Sequence, residues 1–393
     1  MNTQSVFDYF VPTRTLFGSG SLKRLHEQAL PGRKALVVIS NGKSTRVHGY
    51  LDRTLDELRL AGVTWEIYDG IEANPLKQSI MAGARMGRDA ACDFIVALGG
   101  GSVMDAAKAI AVMVTNEGDL WDYIAFGTGK GKPICETPLP IVAITTTAGT
   151  GSETDSGGVI TNPETHEKTA IFGDSIFPKL AVVDPELMLS VPPKFTAYQG
   201  FDALFHSTEG YISSKANFMS DVVALAAIEH VGRHLAATVK NGQDLAAREH
   251  VAFGNWLSGI QMCVGTCTSE HSLEHALSAY HQELPHGAGL IMLSKAYYTH
   301  FIQSGVCPER FVRMAQALGK TDAREPMDFI TALVELQEAC GVADLKMSDY
   351  GIQPGEFEAM ARNAMDSMGF LFGADPIPLD FDDCVNIYMA SYK

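Results

Sequence analysis

Several features that mark other classes of protein are missing from this sequence. No uninterrupted apolar run approaches the roughly 18 residues needed to cross a bilayer, so we expect no membrane span. No basic segment followed by an apolar stretch opens the chain, so we expect no secretory signal. Basic residues are also scarce, since 30 Lys and Arg face 46 Asp and Glu, a formal net charge of −16. This negative charge argues against nucleic acids and anionic membranes as partners.

Cysteine provides no disulfide framework. The seven cysteines are an odd number without regular spacing, which predicts reduced thiols in a cytoplasmic protein. Internal repeats and low-complexity segments are absent as well. What is present is an ordinary globular composition, 46% apolar and 19% charged, in a chain of 393 residues. That length allows two domains with a substantial core.

The hydrophobic pattern divides the chain into two parts. Up to about residue 190, strand-like runs such as KALVVIS, TWEIYDG, DFIVALGG and LPIVAITTT alternate with amphipathic helical segments. This alternation predicts an α/β domain over residues 1–190, with a Rossmann-like parallel sheet. After the Val191-Pro192-Pro193 stretch the pattern is helical and rich in Ala, Leu and Met. Residues 191–393 are therefore predicted to form an all-α domain.

Two turns in the first part have the character of phosphate-binding sites. In DFIVALGGGSVMDAAKA a strand ends at Gly99, and Gly100, Gly101 and Ser102 open a helix. Glycines allow the backbone to approach a phosphate, and a helix N-terminus offers free N–H groups. Asp105 lies one turn into that helix. A second turn, ITTTAGTGSE, follows another strand and offers further hydroxyl groups for ribose or phosphate, those of Thr146, Thr147 and Thr150.

A metal-ligand pattern occupies the second part. Asp202 and His206 are four residues apart in GFDALFHSTEGY, which places them on one face of a helix. The segment SEHSLEHALSAYHQELPHG then supplies His271, His275 and His286. One carboxylate with several imidazoles suits a borderline ion, Fe²⁺ or Zn²⁺, better than Ca²⁺ or Mg²⁺. Such a site predicts a Lewis-acid enzyme with a coordination position open to substrate.

Nearby cysteines and one further histidine are interpreted differently. Cys263 and Cys267 precede His271 at four-residue steps. On a continuous helix, however, Cys263 would lie about 18 Å from His275 and could not share its ion. We therefore expect small buried cysteines rather than ligands. His281 breaks the spacing and is expected to face solvent.

These motifs resemble the iron-containing (group III) alcohol dehydrogenase family almost from end to end. The matching segments are FVPTRTLFGSGSLKRL, GGGSVMDAAKA, TTTAGTGSE, LAVVDPELMLSVPP, GFDALFHSTEGYIS and the HSLEH…PHG pair. The resemblance implies metal ligands at Asp202, His206, His271 and His286, with His275 beside the nicotinamide and substrate. It implies NAD(P) contacts at Asn74, Gly100, Gly101, Ser102, Thr146, Thr147 and Lys168. It also implies a homo-oligomer.

The predicted activity is hydride transfer between NAD(P) and a small primary alcohol or aldehyde. His275 would order the nicotinamide, relay a proton or simply pack. Three alternatives are a dehydroquinate-synthase-like lyase, a glycerol-dehydrogenase-like polyol oxidoreductase and a non-catalytic metal-binding protein. The segment from His271 to His286 contains no Lys or Arg, which favours an uncharged substrate over the phosphorylated one of the lyase.

The choice between NAD and NADP depends on the end of the first long strand. An acid there commonly binds the adenine ribose and repels the 2′-phosphate of NADP. Here the strand KALVVI is followed by Ser40 and Asn41, with Lys43 and Arg46 just beyond. Ser40 would contact the ribose, and either cation would pair with a phosphate. The sequence thus leans toward NADP(H), with NAD(H) use compatible with the same residues.

Overall fold

A computed structural model describes residues 3–393 and divides the chain into two compact units. The first unit is Val11–Val191, and the second combines residues 3–10 with Pro192–Lys393. The first is an α/β unit with a parallel sheet and the second is helical, so the predicted fold class is confirmed.

The α/β unit contains eight strands and four α-helices among the described residues. The strands are β1 (Arg14–Phe17), β2 (Lys34–Ser40), β3 (Thr64–Ile71), β4 (Phe94–Gly99), β5 (Ile141–Thr145), β6 (Gly157–Asn162), β7 (Glu167–Phe172) and β8 (Leu180–Val183). The helices are α1 (Ser44–Val47), α2 (Tyr50–Leu60), α3 (Lys77–Asp89) and α4 (Gly101–Thr115). Six strands form one parallel sheet in the order β1-β8-β5-β4-β2-β3.

The inner strands β2, β4, β5 and β8 are buried on both faces, which explains why they are nearly continuous apolar runs rather than alternating ones, whereas the edge strands β1 and β3 are more exposed. Side chains alternate between the two faces along each strand. In β2, Leu36 and Val38 pack into the core that includes α3 and α4, whereas Val37 and Ile39 pack into the core that includes α2. β4 is buried along its whole length.

The topology places the predicted cofactor residues at one edge of the sheet. From β2 the chain moves to β3 on one side, and β4 and β5 follow on the other, so the strand order reverses between β2 and β4. Ligands of open α/β sheets bind outside the carboxyl ends of strands at such a reversal. Ser40, Gly99 and Thr146 all lie at or just after the carboxyl ends of these strands.

A two-stranded antiparallel sheet was not predicted from the sequence. β6 pairs with β7, with Val159 opposite Ala170. The two glycines that open β6 have low strand propensity, which hides the strand in a sequence pattern. Contacts with the rest of the unit hold it: the amide of Val159 donates to Asp105 at 3.0 Å, and that of Thr161 donates to the carbonyl of Pro75 at 2.9 Å.

The helical unit consists of nine α-helices within the described residues. They are α5 (Pro193–Ile212), α6 (Phe218–Lys240), α7 (Leu245–Val264), α8 (Ser269–Tyr280), α9 (His286–Gln303), α10 (Pro308–Ala317), α11 (Met327–Ala339), α12 (Phe357–Met368) and α13 (Phe381–Ser391). α5 is buried on nearly all sides from Thr196 onward. It is therefore a core helix of this unit, and it carries Asp202 and His206.

The first described residues belong to the helical unit, although the sequence pattern placed the whole of residues 1–190 in the first domain. Backbone hydrogen bonds explain the difference. The amide of Gln4 donates to Ala216 at 3.0 Å, and the amide of Phe218 donates to Gln4 at 3.2 Å. The hydroxyl of Thr3 also donates to Asp221 at 3.1 Å. These pairings join distant parts of the chain, so local periodicity does not show them.

By length and composition alone, α6 is the one helix among residues 3–393 that could cross a membrane. It packs against α5, α7 and α10 within the helical unit. Its sequence also carries Asp221, Glu229 and Arg233. A core helix of a helical domain passes the same test, so this property is only a weak indication of a membrane span.

Candidate functional site

Three imidazoles converge on one carboxylate oxygen in the helical unit. The Nε2 atoms of His206, His271 and His286 lie 3.6, 3.5 and 3.6 Å from Oδ1 of Asp202. Asp202 and His206 are one turn apart on α5, His271 is in the first turn of α8, and His286 is the first residue of α9. The structure therefore brings together all four residues that the family resemblance implied as metal ligands.

The separations between these atoms suit a shared cation. Bonds of about 2.0–2.2 Å from imidazole nitrogen and carboxylate oxygen to one ion place the donor atoms about 3.3–3.6 Å apart. The rings of His206 and His271 stack with centroids 4.3 Å apart, which holds both in a fixed orientation. Oδ1 of Asp202 and Nε2 of His271 are buried and have no hydrogen-bond partner in the described part of the chain. A cation bound by these atoms would remove the cost of leaving them unpaired.

Two buried glutamates that the sequence analysis missed orient these histidines. Glu209 accepts a hydrogen bond from Nδ1 of His271, and Glu274 accepts one from Nδ1 of His286. Both glutamate side chains are fully buried. A carboxylate on the second ring nitrogen fixes the tautomer and turns Nε2 toward the metal. Helical spacing was the available signal, since Glu209 is seven residues after Asp202 and Glu274 is three after His271.

The electrostatics of the cluster favour a positive charge. Burial raises the pKa of Asp202, but the imidazoles of His206, His286 and His271 outweigh burial and hold it well below its usual range. Burial lowers the pKa of His271, but Glu209 and Asp202 outweigh it and raise the value to about 10. Three buried carboxylates, Asp202, Glu209 and Glu274, thus surround the imidazoles. A divalent cation held by Asp202, His206, His271 and His286 would offset this charge and would bind His271 with Nε2 deprotonated.

His275 is close to the cluster but is turned differently from the other histidines. Its ring is edge-on to that of His271, with centroids 6.3 Å apart. Its Nδ1 lies 2.8 Å from Sδ of Met368. A nitrogen of His275 also lies within 4.8 Å of ligand atoms of Glu274 and His286. His275 therefore lies beside the four converging residues, and its nitrogens are not among the three that face Asp202.

Cys267 lies closer to the histidines than the sequence pattern suggested. α7 ends at Val264 and α8 begins at Ser269, so the continuous helix assumed for Cys263 and His275 does not exist. The break brings Sγ of Cys267 within 4.8 Å of ligand nitrogens of His206 and His271. Cys267 is 9% exposed, as expected for a small buried cysteine, but it adjoins the candidate site, whereas Cys263 is only partly buried.

In the α/β unit, the two predicted turns pack against each other. Gly99 ends β4, Gly100 precedes α4 and Gly101 is its first residue. A Cβ atom on Gly100 would lie 2.9 Å from Cγ2 of Thr147, and one on Gly101 would lie 2.3 Å from Cγ2 of Thr150. The amide of Thr146 donates to the carbonyl of Gly99 at 2.9 Å. A side chain at position 100 or 101 would force Thr147 or Thr150 to move, so the absence of side chains lets the two turns pack together at the N-terminus of α4.

The remaining predicted cofactor residues lie around the same helix N-terminus. The hydroxyl of Ser102 donates to the carbonyl of Ala73, which precedes Asn74. Lys168, on β7, is paired with Thr161, whose amide donates to Pro75 at 2.9 Å. Asn74 and Lys168 are thus held on neighbouring segments. Ser40 is at the end of β2, on the adjacent strand to β4.

Asp105 has both carboxylate oxygens engaged within the unit. Oδ1 accepts a hydrogen bond of 2.6 Å from Ser152, and Oδ2 accepts one of 3.0 Å from the amide of Val159. Burial raises the pKa of Asp105 to about 6, against the opposing charge of Lys108. The ammonium of Lys108 is fully buried and donates to Asp155 at 2.6 Å. This network ties α4 to the segment between β5 and β6, and so holds the second turn in place.

Comparison with known proteins finds the same family for the α/β unit and for the helical unit. Residues 12–185 match the family model for iron-containing alcohol dehydrogenases. Residues 196–392 match the model for the C-terminal part of the same family. The two matches together cover most of the chain, and each covers one of the two candidate sites.

Individual relatives are similar over nearly their whole length. 1,3-Propanediol dehydrogenase of Citrobacter freundii is 35% identical over 369 residues, which are 92% of each chain. NAD-dependent methanol dehydrogenase of Bacillus methanolicus is 29% identical over 92% of this chain and 94% of its own. The crystal structure of an archaeal halo-thermophilic alcohol dehydrogenase from a Red Sea brine pool superposes with a TM-score of 0.94 at 31% identity, covering 99% of this chain and all of that one. With the family matched across both units, the chain belongs to the iron-containing alcohol dehydrogenases and is an oxidoreductase of that family.

Proposed function

We propose that this enzyme transfers a hydride between NAD(H) and a small, uncharged primary alcohol or aldehyde, with Fe²⁺ as its metal. The convergence of His206, His271 and His286 on one buried oxygen of Asp202 carries the proposal. Three imidazoles and one carboxylate leave room for a further ligand in the coordination sphere of the ion. When bound, the ion would act as a Lewis acid on the substrate oxygen. Zn²⁺ has the same donor preferences and is the alternative metal.

The chain's own residues supply orientation and charge. Glu209 and Glu274 hold the ring nitrogens of His271 and His286 toward Asp202, so the ligand geometry is set before substrate arrives. Asp202 is 4% exposed and His206 is 6% exposed, so water has little access to these two ligands, whereas the side chain of His286 is 23% exposed. A low-dielectric site strengthens interactions with charge that develops during the reaction.

In the α/β unit we assign pyrophosphate binding to the N-terminus of α4. Gly99, Gly100, Gly101 and Ser102 would present backbone N–H groups there, and Thr146, Thr147 and Thr150 face them from the second turn. Asn74, Lys168 and Ser40 would contact other parts of the dinucleotide. Asp105 is assigned to positioning the second turn, because both its oxygens already accept hydrogen bonds from the protein.

The dinucleotide is proposed to be NAD(H), and the sequence-based lean toward NADP(H) finds no support. Nη2 of Arg46 lies 2.8 Å from Oδ2 of Asp69, so the cation expected to pair with a 2′-phosphate already has a carboxylate partner. Asp69 belongs to β3, the strand next to β2, and its charge would repel that phosphate. The methanol dehydrogenase relative is itself NAD-dependent by name.

Replacing Asp69 by alanine tests this cofactor assignment. Without Asp69, Arg46 is free to pair with the 2′-phosphate. An exposed ion pair contributes at most about 1 kcal/mol, so we expect kcat/KM for NADP⁺ to rise by up to about fivefold. The values for NAD⁺ should stay the same. Asp56→Ala is the matched control, since Asp56 also pairs with an arginine, Arg59, at 2.6 Å on the surface of the same unit. A wild-type enzyme that prefers NADP⁺ would contradict the assignment.

An apolar wall beside the metal ligands supports a small uncharged substrate. Cys267, Met368 and Leu371 are buried together, and Met262 packs against them. Met368 also contacts His275, and Cys267 adjoins His206 and His271, so this wall reaches the ligand cluster. No Lys or Arg lies between His271 and His286 in the sequence. A lyase acting on a phosphorylated substrate is not favoured by this chemistry or by the family matches.

His275 is proposed to act next to the substrate rather than on the metal. Its ring is 5% exposed and its Nδ1 contacts the thioether of Met368, which orients it. From this position it would relay a proton to or from the substrate or order the nicotinamide.

The function is tested by spectroscopic assay of NADH with short primary alcohols and aldehydes. We expect turnover by protein loaded with Fe²⁺ under anaerobic conditions, and none after treatment with a chelator. Re-addition of Fe²⁺ should restore activity, and the control is protein taken through the same steps without chelator. A best substrate that is phosphorylated or doubly charged, judged by kcat/KM, would refute the proposed substrate class.

We further propose a cytoplasmic homo-oligomer that binds neither nucleic acid nor membranes. The seven cysteines are all free, which fits a reducing compartment. The net charge of −16 disfavours polyanionic partners. Val6, Phe7, Tyr9 and Phe10 are exposed apolar residues on the first segment of the chain, which supports burial against another copy.

A further inference from the structure

A second cluster of histidines lies on the surface of the helical unit and shares no residue with the catalytic site. His230 and His234 are one turn apart on α6, and His250 faces them from α7. Nδ1 of His230 lies 3.1 Å from Nδ1 of His250. The rings of His234 and His250 stack with centroids 3.9 Å apart. We call these three residues the surface histidine cluster.

The nitrogen separation in this cluster matches that of two ligands on one ion. Two imidazole nitrogens bound to the same tetrahedral ion at about 2.0–2.1 Å lie about 3.3 Å apart. His230 and His250 already approach this distance. His234 is four residues after His230, the spacing with which two histidines of one helix bind one metal ion. The nitrogens of all three rings do not lie within 4.8 Å of one another, so His230 and His250 form the centre of the site and His234 flanks it.

The surroundings favour the neutral form of His230 and His234 and leave the cluster accessible. Burial lowers the pKa of His230, and the charge of His250 lowers it further. The pKa of His234 is lowered by burial and then by His250 and His230. Neutral imidazole is the form that binds metals. His250 is exposed and the other two rings are half-buried, so an ion from solution can reach the cluster.

Neighbouring groups restrict the rings without covering the cluster. The ring of Phe253 packs edge-on against His230, with centroids 4.9 Å apart. Glu229 is paired with Arg233 at 2.8 Å. The aromatic contact with Phe253 holds His230 against α7. This contact reduces the side-chain conformational entropy that is lost when an ion binds.

We propose that the surface histidine cluster is a second metal site, which binds a divalent transition ion such as Zn²⁺, Cu²⁺ or Ni²⁺. Imidazole nitrogens are the preferred ligands of these ions. Water would complete the coordination sphere, because the cluster faces solvent. An ion bound there joins α6 to α7 and stabilises the folded state by mass action.

Zinc titration of protein whose catalytic site has first been filled with Zn²⁺ tests the proposal. Isothermal titration should show one further ion per chain, with a rise in Tm as the site fills. His250→Ala should abolish that second binding event, and His234→Ala should weaken it by about tenfold or more, since even the partners of metal ligands affect affinity by 10–100-fold. Both variants should keep wild-type activity.

Two controls distinguish a specific metal site from nonspecific metal binding. His48→Ala removes a single exposed histidine of the α/β unit, whose ring is tilted against that of Tyr50, and should leave the second binding event unchanged. With Cu²⁺ as the probe, the electron paramagnetic resonance spectrum should show coupling to two or more nitrogens. A wild-type protein that binds no further ion, or a His250→Ala variant that binds it equally well, would overturn the proposal. Both readouts are independent of whether the catalytic site holds iron.

Discussion

His206→Ala should lose its bound iron and lower kcat by about a thousandfold. A Lewis acid contributes several kcal/mol to stabilising the transition state, and each 1.36 kcal/mol corresponds to about tenfold in rate. His206 supplies one of the three nitrogens that face Oδ1 of Asp202. Without it, two imidazoles and a carboxylate remain, and these bind a divalent ion less tightly. Metal content by elemental analysis and steady-state kinetics with NADH measure the two effects.

The matched control for this experiment is His281→Ala. His281 follows α8 directly, and its Nε2 lies 3.2 Å from both carboxylate oxygens of Glu356, away from the ligand group. It was expected at the surface and is partly exposed. This variant should retain iron and activity. If His206→Ala retained full iron content and wild-type kcat, the metal assignment would be wrong.

The parts of the fold that the sequence predicts are those governed by local pattern. The runs 35–39 and 94–98 are apolar throughout because both faces of the sheet are buried at β2 and β4. Asp202 and His206 were recognised because helical spacing fixes their geometry regardless of tertiary context. The glycines at positions 100 and 101 were recognised because they stand between an apolar strand and a helix, where a phosphate-binding turn is expected.

The features that escaped prediction depend on contacts between distant segments. Glu209 and Glu274 differ from other acidic residues only because folding places them against His271 and His286. The pairing of Arg46 with Asp69 joins α1 to β3, 23 residues apart in the sequence, and it underlies the proposal of NAD(H) rather than NADP(H). The proximity of Cys267 to His206 depends on the break between α7 and α8. The local sequence around these residues does not distinguish them from ordinary residues of the protein surface.

We expect Glu274, which accepts a hydrogen bond from His286, to affect iron affinity nearly as much as a metal ligand does. Glu274 is fully buried and accepts a hydrogen bond from Nδ1 of His286, whose Nε2 faces Asp202. A Cβ atom on Gly289 would lie 2.7 Å from Cγ of Glu274, so a residue of α9 leaves room for this side chain. The packing therefore holds the carboxylate where it aligns the ring, and Glu274 is a positioning residue.

Glu274→Gln should lower the affinity for iron by 10–100-fold while leaving kcat close to that of the wild type once the site is saturated with Fe²⁺. Glutamine keeps the shape but removes the charge that orients and polarises the imidazole. A chelator-competition titration gives the affinity, and kcat measured against free Fe²⁺ concentration separates weak binding from defective chemistry. Glu356→Gln is the matched control, because it breaks a carboxylate–imidazole contact of the same kind at His281, which is not a ligand. Unchanged iron affinity in Glu274→Gln, or an equal loss in Glu356→Gln, would show that Glu274 does not align His286 for the metal.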